Sequence, residues 1–455
     1  MTGSVLIVGG GITGLSTAWF LQSRGVPVRV LEAAATPGGM IDTDRGGGWL
    51  TERGPNSTLH KPGRAEDSLG RLIAGAGLTA RVLEAGRAGS KRFILRDGRL
   101  VALPGSPPAM IATRAFSLGG KLRLLAEPFI GRARVEETIA AFVRRRLGRE
   151  FLDYAVEPFV SGVYAGDPAA LSVQAAVPRI YDLERRHGSL IRGAIALGRA
   201  ARGAGMPAGR LISFDHGMAV LPETLAQALP PGAVRCGCRV DSLHQVAGGW
   251  QVGWQGKEGA GTDTAERLVL ALPAGDAARL VRPLAPAAAD LLDSVPYAPI
   301  VAAALGFPRA AVGHPLDGFG FLVPRREGMR TLGALFSSTL FPGRGPESTV
   351  LITAFIGGAM DSGIVAESDD RIASQVREDL GRALTIDGAP VLTRLWRRPR
   401  AIPQYTLGHL ARMAALDEAL APLAGLHLQA SWRGGVSVAD CVRSGETLAQ
   451  RIIDG

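Results

Sequence analysis

The stretch Val5-Leu6-Ile7-Val8-Gly9-Gly10-Gly11-Ile12-Thr13-Gly14 decides the fold. Its first four residues are a continuous apolar run, the pattern of a strand buried in a parallel sheet. The run feeds directly into G-x-G-x-x-G, carried by Gly9, Gly11 and Gly14. An apolar-periodic helix is expected from about Leu15 to Arg24, stopped by Gly25, and then a second strand over Val28–Leu31 that ends on Glu32. Gly9 permits the tight turn, and Gly11 lets a pyrophosphate approach the backbone. Gly14 lets helix and strand pack closely, and the helix start around Ile12 and Thr13 points free N–H groups at the phosphates. Glu32 follows Gly11 by 21 positions, where a carboxylate accepts from ribose hydroxyls. A lone G-x-G-x-x-G says little; strand, turn, helix, strand and acid in this order make a dinucleotide site.

The next residues favour FAD over NAD. Ala33-Ala34-Ala35-Thr36-Pro37-Gly38-Gly39-Met40 resembles the extended Gly-Gly segment of the amine oxidase-like flavoproteins. Gly38 and Gly39 there let the chain pass close to the flavin side of the cofactor. Near the other end, Trp432-Arg433-Gly434-Gly435-Val436-Ser437-Val438 places a Gly-Gly turn between an expected strand, Leu426–Ala430, and an expected helix, Val438–Ile453. Such a turn presents N–H groups to a phosphate or to the flavin O2 edge, and the helix dipole favours negative charge on a reduced flavin.

A chain of 455 residues is expected to form two or three domains. Hydrophobic content of 46% and charged content of 20% describe a globular protein rather than a disordered one. No apolar run reaches the roughly 18 residues of a membrane span. With the first strand beginning at Val5 there is no room for a signal peptide, so a cytoplasmic location is expected. Cys236, Cys238 and Cys441 lack disulfide or zinc spacing and read as small buried hydrophobes. The histidines show no metal pattern.

The net charge of +10 is uneven, since residues 107–210 hold 16 Arg/Lys against 9 Asp/Glu. No nucleic-acid-binding signature accompanies this excess, and no nucleic acid is expected. Apolar and basic residues alternate in Ile111-Ala112-Thr113-Arg114-Ala115-Phe116, Lys121-Leu122-Arg123-Leu124-Leu125 and Phe142-Val143-Arg144-Arg145-Arg146-Leu147. Two readings stand open: helices resting on an anionic membrane surface, or a soluble helical domain with solvated arginines.

The dinucleotide unit cannot be contiguous. A helix-rich block runs from about Ser106 to Ala208, ended by Pro207-Ala208-Gly209, and alternating structure then returns. Met218–Leu229 reads as a helix, Val234–Leu243 and Trp250–Trp254 as strands, and Arg267–Leu272 as a buried strand ending at Pro273. Strands are expected at Val301–Phe307, Gly318–Val323, Thr331–Phe336 and Val350–Phe355, with a long amphipathic helix at Asp370–Leu384.

Taken together these motifs resemble the HemY-type protoporphyrinogen/coproporphyrinogen oxidases, over nearly the whole chain. The signatures are Glu52-Arg53-Gly54-Pro55-Asn56-Ser57, Phe159-Val160-Ser161-Gly162-Val163-Tyr164-Ala165-Gly166-Asp167-Pro168, His187-Gly188-Ser189-Leu190-Ile191, Ser213-Phe214-Asp215-His216-Gly217-Met218, Leu335-Phe336-Ser337-Ser338, Ala401-Ile402-Pro403-Gln404-Tyr405-Thr406-Leu407-Gly408-His409 and Gly434-Gly435-Val436-Ser437-Val438-Ala439-Asp440-Cys441. The Gly-Pro-Asn-Ser, Ala-Gly-Asp-Pro and Ile-Pro-Gln-Tyr runs are the most specific. His216 departs from the family, which has Gly-Gly there.

The resemblance implies an α/β (α+β overall) architecture. A Rossmann-like FAD-binding domain would comprise 1–64, 210–275 and 424–455, a sheet-based substrate domain 65–105 and 276–423, and an inserted helical membrane-associated domain 106–209. It implies removal of six electrons from a porphyrinogen in three steps, with molecular oxygen reoxidising the FAD and yielding three hydrogen peroxide. It also implies peripheral attachment to the inner face of the cell membrane, hand-off of product to a ferrochelatase, and a homodimer. Asn56 would line the active site, Arg92 would pair with a propionate, and Leu322, Leu335 and Phe355 would sandwich the macrocycle. Gly166 would sit near the flavin, where a side chain would obstruct the substrate. Cofactor contacts would come from Gly9, Gly11, Ile12, Thr13, Gly14, Glu32, Gly38, Gly39, Gly54, Pro55, Asn56, the Val240 backbone, Trp396, Gly434, Val436, Ser437 and Val438. An arginine suits a propionate because its fork bonds a carboxylate bidentately.

Hydride loss from a carbon bridge is driven by gain of aromaticity, so no dedicated acid or base is assigned. Arg92 is the one propionate partner the sequence supports, which favours protoporphyrinogen IX, with two propionates, over coproporphyrinogen III, with four. Another amine oxidase-like oxidase or desaturase, and a flavoprotein that binds without turnover, are the other readings; aromatic content of 5% speaks against an amine oxidase's aromatic cage.

Overall fold

The computed structural model of the chain describes residues 3–62, 67–105, 107–113, 115–203, 209–257 and 259–455. A five-stranded parallel sheet lies under the dinucleotide motif, in the order Val234–Cys236, Val28–Glu32, Val5–Val8, Arg267–Leu270, Leu426–Leu428. Val5–Val8 is central and buried at every position, which is why the run is apolar throughout. The helix that follows is Ile12–Gln22, starting earlier than Leu15 because the turn consumes only Gly9–Gly11.

Helices Ile12–Gln22, Ser68–Gly75 and Val438–Asp454 cover one face of this sheet through Leu15, Leu21, Leu72, Val442 and Leu448. The other face is covered by helices Ala274–Val281, Pro286–Asp293 and His409–Leu420 with Trp250 and Trp432. Several of these helices fall within 65–105 and 276–423, yet their apolar faces pack here rather than on the second sheet. The single strand expected over Val234–Leu243 is two. Gly237, at φ +76°, turns the chain. Val234–Cys236 joins the parallel sheet, while Arg239–Val246 enters an antiparallel one with Gly249–Gly256 and Gly259–Ala265. The helix expected over Met218–Leu229 is regular only at Val220–Ala228.

A seven-stranded sheet forms the second layer, in the order Leu392–Pro403, Tyr297–Pro308, Thr349–Gly357, Thr331–Leu335, Gly320–Leu322, Arg92–Arg96, Arg99–Ala102. One face, including Val301, Leu305, Phe321, Ala334 and Ile352, is buried under helix Asp369–Leu384 through Ile372, Val376 and Leu380. Strand alternation sends the intervening side chains to the opposite face.

Residues 107–203 are helical, with Leu118–Leu125, Ile139–Arg146, Glu157–Tyr164, Pro178–His187 and Leu190–Gly203 the longer elements. The block ends expected at 106 and 207–208, the domain boundary at 64–65, and Arg114 lie outside the described residues. Arg146 is fully buried between Glu127, at 3.0 Å, and Glu184. Glu127 also accepts from Ser189 Oγ at 2.5 Å and from the N–H groups of Leu190 and Ile191, capping helix Leu190–Gly203. Among the described residues no helix is long and apolar enough to cross a membrane.

Candidate active site

Gly11 caps helix Ile12–Gln22 without any side-chain hydrogen bond, and the first turn holds no acidic residue. The orphan N–H groups there stay free for an anion. A Cβ added at Gly11 would meet nothing within 4 Å, so the turn is an open cradle. At Gly14 a Cβ would overlap the Gly9 carbonyl oxygen, which is the close helix–strand packing the spacing predicts. The Gly-Gly segment comes to the same place: Gly38 N donates to Gly10 O at 2.9 Å, and Gly11 and Gly38 form a parallel bridge. A Cβ on Gly39 would lie 3.2 Å from Gly11 Cα.

Glu32 sits at the rim of this turn. Its carboxylate accepts from Gly10 N at 2.6 Å and Ala34 N at 2.7 Å, leaving lone pairs for ribose hydroxyls. Cys238 N donates to Glu32 O at 2.8 Å, which brings Val240 alongside. The Val240 carbonyl already accepts from Arg279 Nη2 at 3.1 Å.

The C-terminal turn converges on the same point. Ser437 caps helix Val438–Asp454, its Oγ accepting from Asp440 N at 3.1 Å. Helices Ile12–Gln22 and Val438–Asp454 pack closely near their starts, where a Cβ at Gly445 would stand 3.1 Å from the Thr13 carbonyl oxygen, and the Cys441 thiol donates to Gly435 O at 3.9 Å. Burial pushes that thiol up to about 11, in keeping with an inert core cysteine. Gly434, Val436, Ser437 and Val438 thus stand beside Gly11, Ile12 and Thr13. An uncapped helix start, an open glycine cradle and a second glycine turn beside it fit an FAD.

The loop Gly54-Pro55-Asn56 presses on the Gly-Gly segment, since a Cβ at Gly54 would overlap the Met40 carbonyl oxygen. Asn56 Nδ2 donates to Gly54 O at 3.2 Å, and Asn56 lines a small cavity with Glu52, Ser337, Phe341 and Arg344. Glu52 and Arg344 form a buried ion pair at 3.2 Å that links this loop to the seven-stranded sheet. Burial lifts the Glu52 carboxyl above its ordinary value, with Arg344 opposing, and burial also lowers Arg344. Glu52 further accepts from Thr43 Oγ1 and Met218 N. His216 is exposed; its backbone serves a turn, donating to Asp215 and accepting from Arg45.

The open face of the seven-stranded sheet gathers the other residues. Leu322 is opposite Gly333, Gly333 opposite Phe355, Phe355 opposite Ala302, and Ala302 opposite Trp396. Directly paired residues share a face, so Leu322, Phe355 and Trp396 stand in one row across the sheet. Leu335, two positions from Gly333, and Arg92, opposite Gly320, project the same way. All four apolar side chains are half-buried and Arg92 is exposed, in contrast to the sealed opposite face. The Arg92 guanidinium lies 5.3 Å over the Phe319 ring and has no carboxylate partner among the described residues, whereas Lys91 is paired with Asp317.

Helix Glu157–Tyr164 lies over this face, with Gly162 so close that a Cβ would come 2.5 Å from Leu322 Cδ2. Phe159 and Val163, on the same side of that helix, are 42% and 44% exposed. The sequence alone assigns neither a role, and their apolar i, i+4 spacing in a signature run is the signal it offers. Gly166 is buried, and a Cβ there would come 2.6 Å from Gln404 Oε1 and 2.7 Å from Leu171 Cδ1. Protein atoms, rather than open substrate space, are what crowd this position.

Comparison with known proteins agrees with this geometry. The model of the flavin containing amine oxidoreductase family matches residues 12–453. A chloroplastic protoporphyrinogen oxidase of Oryza sativa subsp. japonica is 34% identical, over 99% of this chain and 88% of its own. A coproporphyrinogen III oxidase of Bacillus subtilis (strain 168) is 29% identical, over 97% of this chain and 96% of its own. A crystal structure from Exiguobacterium sp. 255-15, bearing a provisional protoporphyrinogen oxidase name, superposes with a TM-score of 0.82 at 24% identity, covering 100% of both chains. The chain belongs to the flavin containing amine oxidoreductase family, among the protoporphyrinogen and coproporphyrinogen oxidases, and is an FAD-dependent oxidase.

Proposed function

We propose that this enzyme oxidises protoporphyrinogen IX to protoporphyrin IX, with molecular oxygen as acceptor. The observation that carries the reading is the apolar row Leu322, Phe355, Trp396, with Leu335 beside it and the unpaired Arg92 at its edge. A flat apolar macrocycle lies on such a wall, and a propionate reaches the guanidinium at its rim. Bound FAD supplies hydride acceptance and return of the electrons to oxygen. The chain's own work is placement. Leu322 and Phe355 present an apolar surface, helix Glu157–Tyr164 limits access of water, and Arg92 fixes which edge of the substrate enters. Six hydrogens leave the porphyrinogen as three hydride–proton pairs, and three oxygen molecules become three hydrogen peroxide.

Coproporphyrinogen III is the second reading, supported by the relative of that name. Mixing the flavoprotein anaerobically with each porphyrinogen, then admitting air, decides between them. Flavin absorbance at about 450 nm bleaches and porphyrin fluorescence then rises with the true substrate. A flavin that neither reduces overturns the reading.

The enzyme is further proposed to rest on the inner face of the cell membrane. Leu118, Leu122, Leu125 and Phe129 are 73%, 59%, 69% and 85% exposed, with Lys121 and Arg123 among them. That combination of exposed apolar side chains with half-buried basic ones suits an anionic lipid surface. The division into cofactor, substrate and helical segments, hand-off to a ferrochelatase and a homodimer belong to the same proposal and rest on the family resemblance.

A further inference from the structure

The Ile-Pro-Gln-Tyr run ends on side chains that the reaction as described does not use. Tyr405 is 4% exposed. Its hydroxyl donates to Ser431 O at 2.6 Å and accepts from Gly435 N at 2.9 Å. Both partners belong to the turn that leads into helix Val438–Asp454. The His409 ring stacks on Tyr405, centroids 4.2 Å apart and planes 9° apart. The turn is therefore held at Ser431 and Gly435 by the Tyr405 hydroxyl, with His409 stacked behind the ring. It needs such support, because Gly435 is at φ +127° and the segment makes few bonds of a regular element.

The segment Gln404–Thr406 around it is tied to the roof of the cleft and the loop that follows it. The Tyr405 carbonyl accepts from Ser172 N at 2.8 Å, and Thr406 bridges Leu171. Gln404 Nε2 donates to Tyr164 O at 2.8 Å. Burial raises the Tyr405 phenol far above its ordinary range, so the hydroxyl keeps the proton it donates.

We propose that Tyr405 is a positioning residue that sets the Gly434–Ser437 turn against bound FAD and ties that turn to the helix roofing the substrate cleft. This rests on the reading of the turn as a flavin contact. Removing the hydroxyl leaves a buried N–H without its acceptor and a carbonyl without its donor, and the turn loses its fixed place.

The test uses the FAD-loaded enzyme and three variants. Tyr405→Phe is expected to release FAD about tenfold faster, followed by flavin fluorescence. On heating, its flavin signal should rise before tryptophan emission reports unfolding, whereas the two coincide in the parent enzyme. His409→Leu keeps the hydroxyl and should accelerate release less. Gly435→Ala perturbs the turn itself. If Tyr405→Phe moves release and unfolding together, the tyrosine is core packing and the proposal falls. If Gly435→Ala speeds release and Tyr405→Phe does not, the turn touches FAD but Tyr405 does not place it. If neither variant changes release, the reading of the turn falls as well.

Discussion

Gly445 of the C-terminal helix lies directly against Thr13 of the N-terminal one: a Cβ there would stand 3.1 Å from the Thr13 carbonyl oxygen and 3.0 Å from Thr17 N. The nearest atoms are largely backbone, which cannot swing aside. This contact brings the two glycine turns, from opposite ends of the chain, close together. Gly445→Leu is expected to destabilise the protein by about 1–3 kcal/mol through overpacking. It should also spread the helix starts. Denaturant titration and the flavin-to-protein absorbance ratio of the purified variant check this; full flavin content with unchanged stability would refute the shared-cradle account.

Arg92 reaches the open face of the seven-stranded sheet and has no carboxylate partner among the described residues. Arg92→Ala should raise KM about tenfold or more while kcat changes little, because the pairing holds the propionate equally in ground and transition states. Arg92→Lys should recover part of the loss, lacking the bidentate fork. Steady-state kinetics under saturating oxygen separates the two constants, and a fall in kcat at constant KM would contradict the assignment.

Leu118, Leu122, Leu125 and Phe129 are among the most exposed large apolar side chains of the described surface, with Val135 and Val391 the others above Leu122. Replacing Leu122, Leu125 and Phe129 together by Glu should abolish co-sedimentation with vesicles rich in anionic lipid. Turnover in detergent-free buffer should stay within about twofold, since no cleft residue changes. Vesicle binding that persists in the triple variant would move the contact elsewhere.

Glu184 has a pH signature. Burial raises its carboxyl, but hydrogen bonds from Arg145 and Arg146 outweigh burial and hold it below its ordinary 4.5. Because the folded value is the depressed one, its contribution is complete above about pH 4.5 and is lost as pH falls through the folded value. Glu184→Gln also strips a fully buried Arg146 of one carboxylate and should cost about 3–5 kcal/mol at pH 7. The gap between parent and variant melting temperatures should narrow steadily below pH 4.5. A gap independent of pH would show that the ion pair contributes nothing.

The local chemistry of the cofactor was legible in the chain. Val5 to Gly14 spells a buried strand and an uncapped helix start through neighbours alone, and the Gly-Gly turn at 434–435 leads into the helix expected after it. Backbone conformation and helix polarity depend on residues a few positions apart, so spacing suffices. Even there the strand over Val234–Leu243 was misread, because one glycine sends its halves to different sheets.

What only the tertiary structure decided is which distant residues share a surface. Leu322, Phe355 and Trp396 each look like ordinary strand positions. Register, set by pairings across five strands, puts them in one row, and a slip of one residue would have turned any of them into the core. In the same way no spacing joins Gly445 to Thr13, or Tyr405 to Gly435. Those contacts exist because apolar faces far apart in sequence can be buried only by packing against each other, and close packing then fixes which atoms meet.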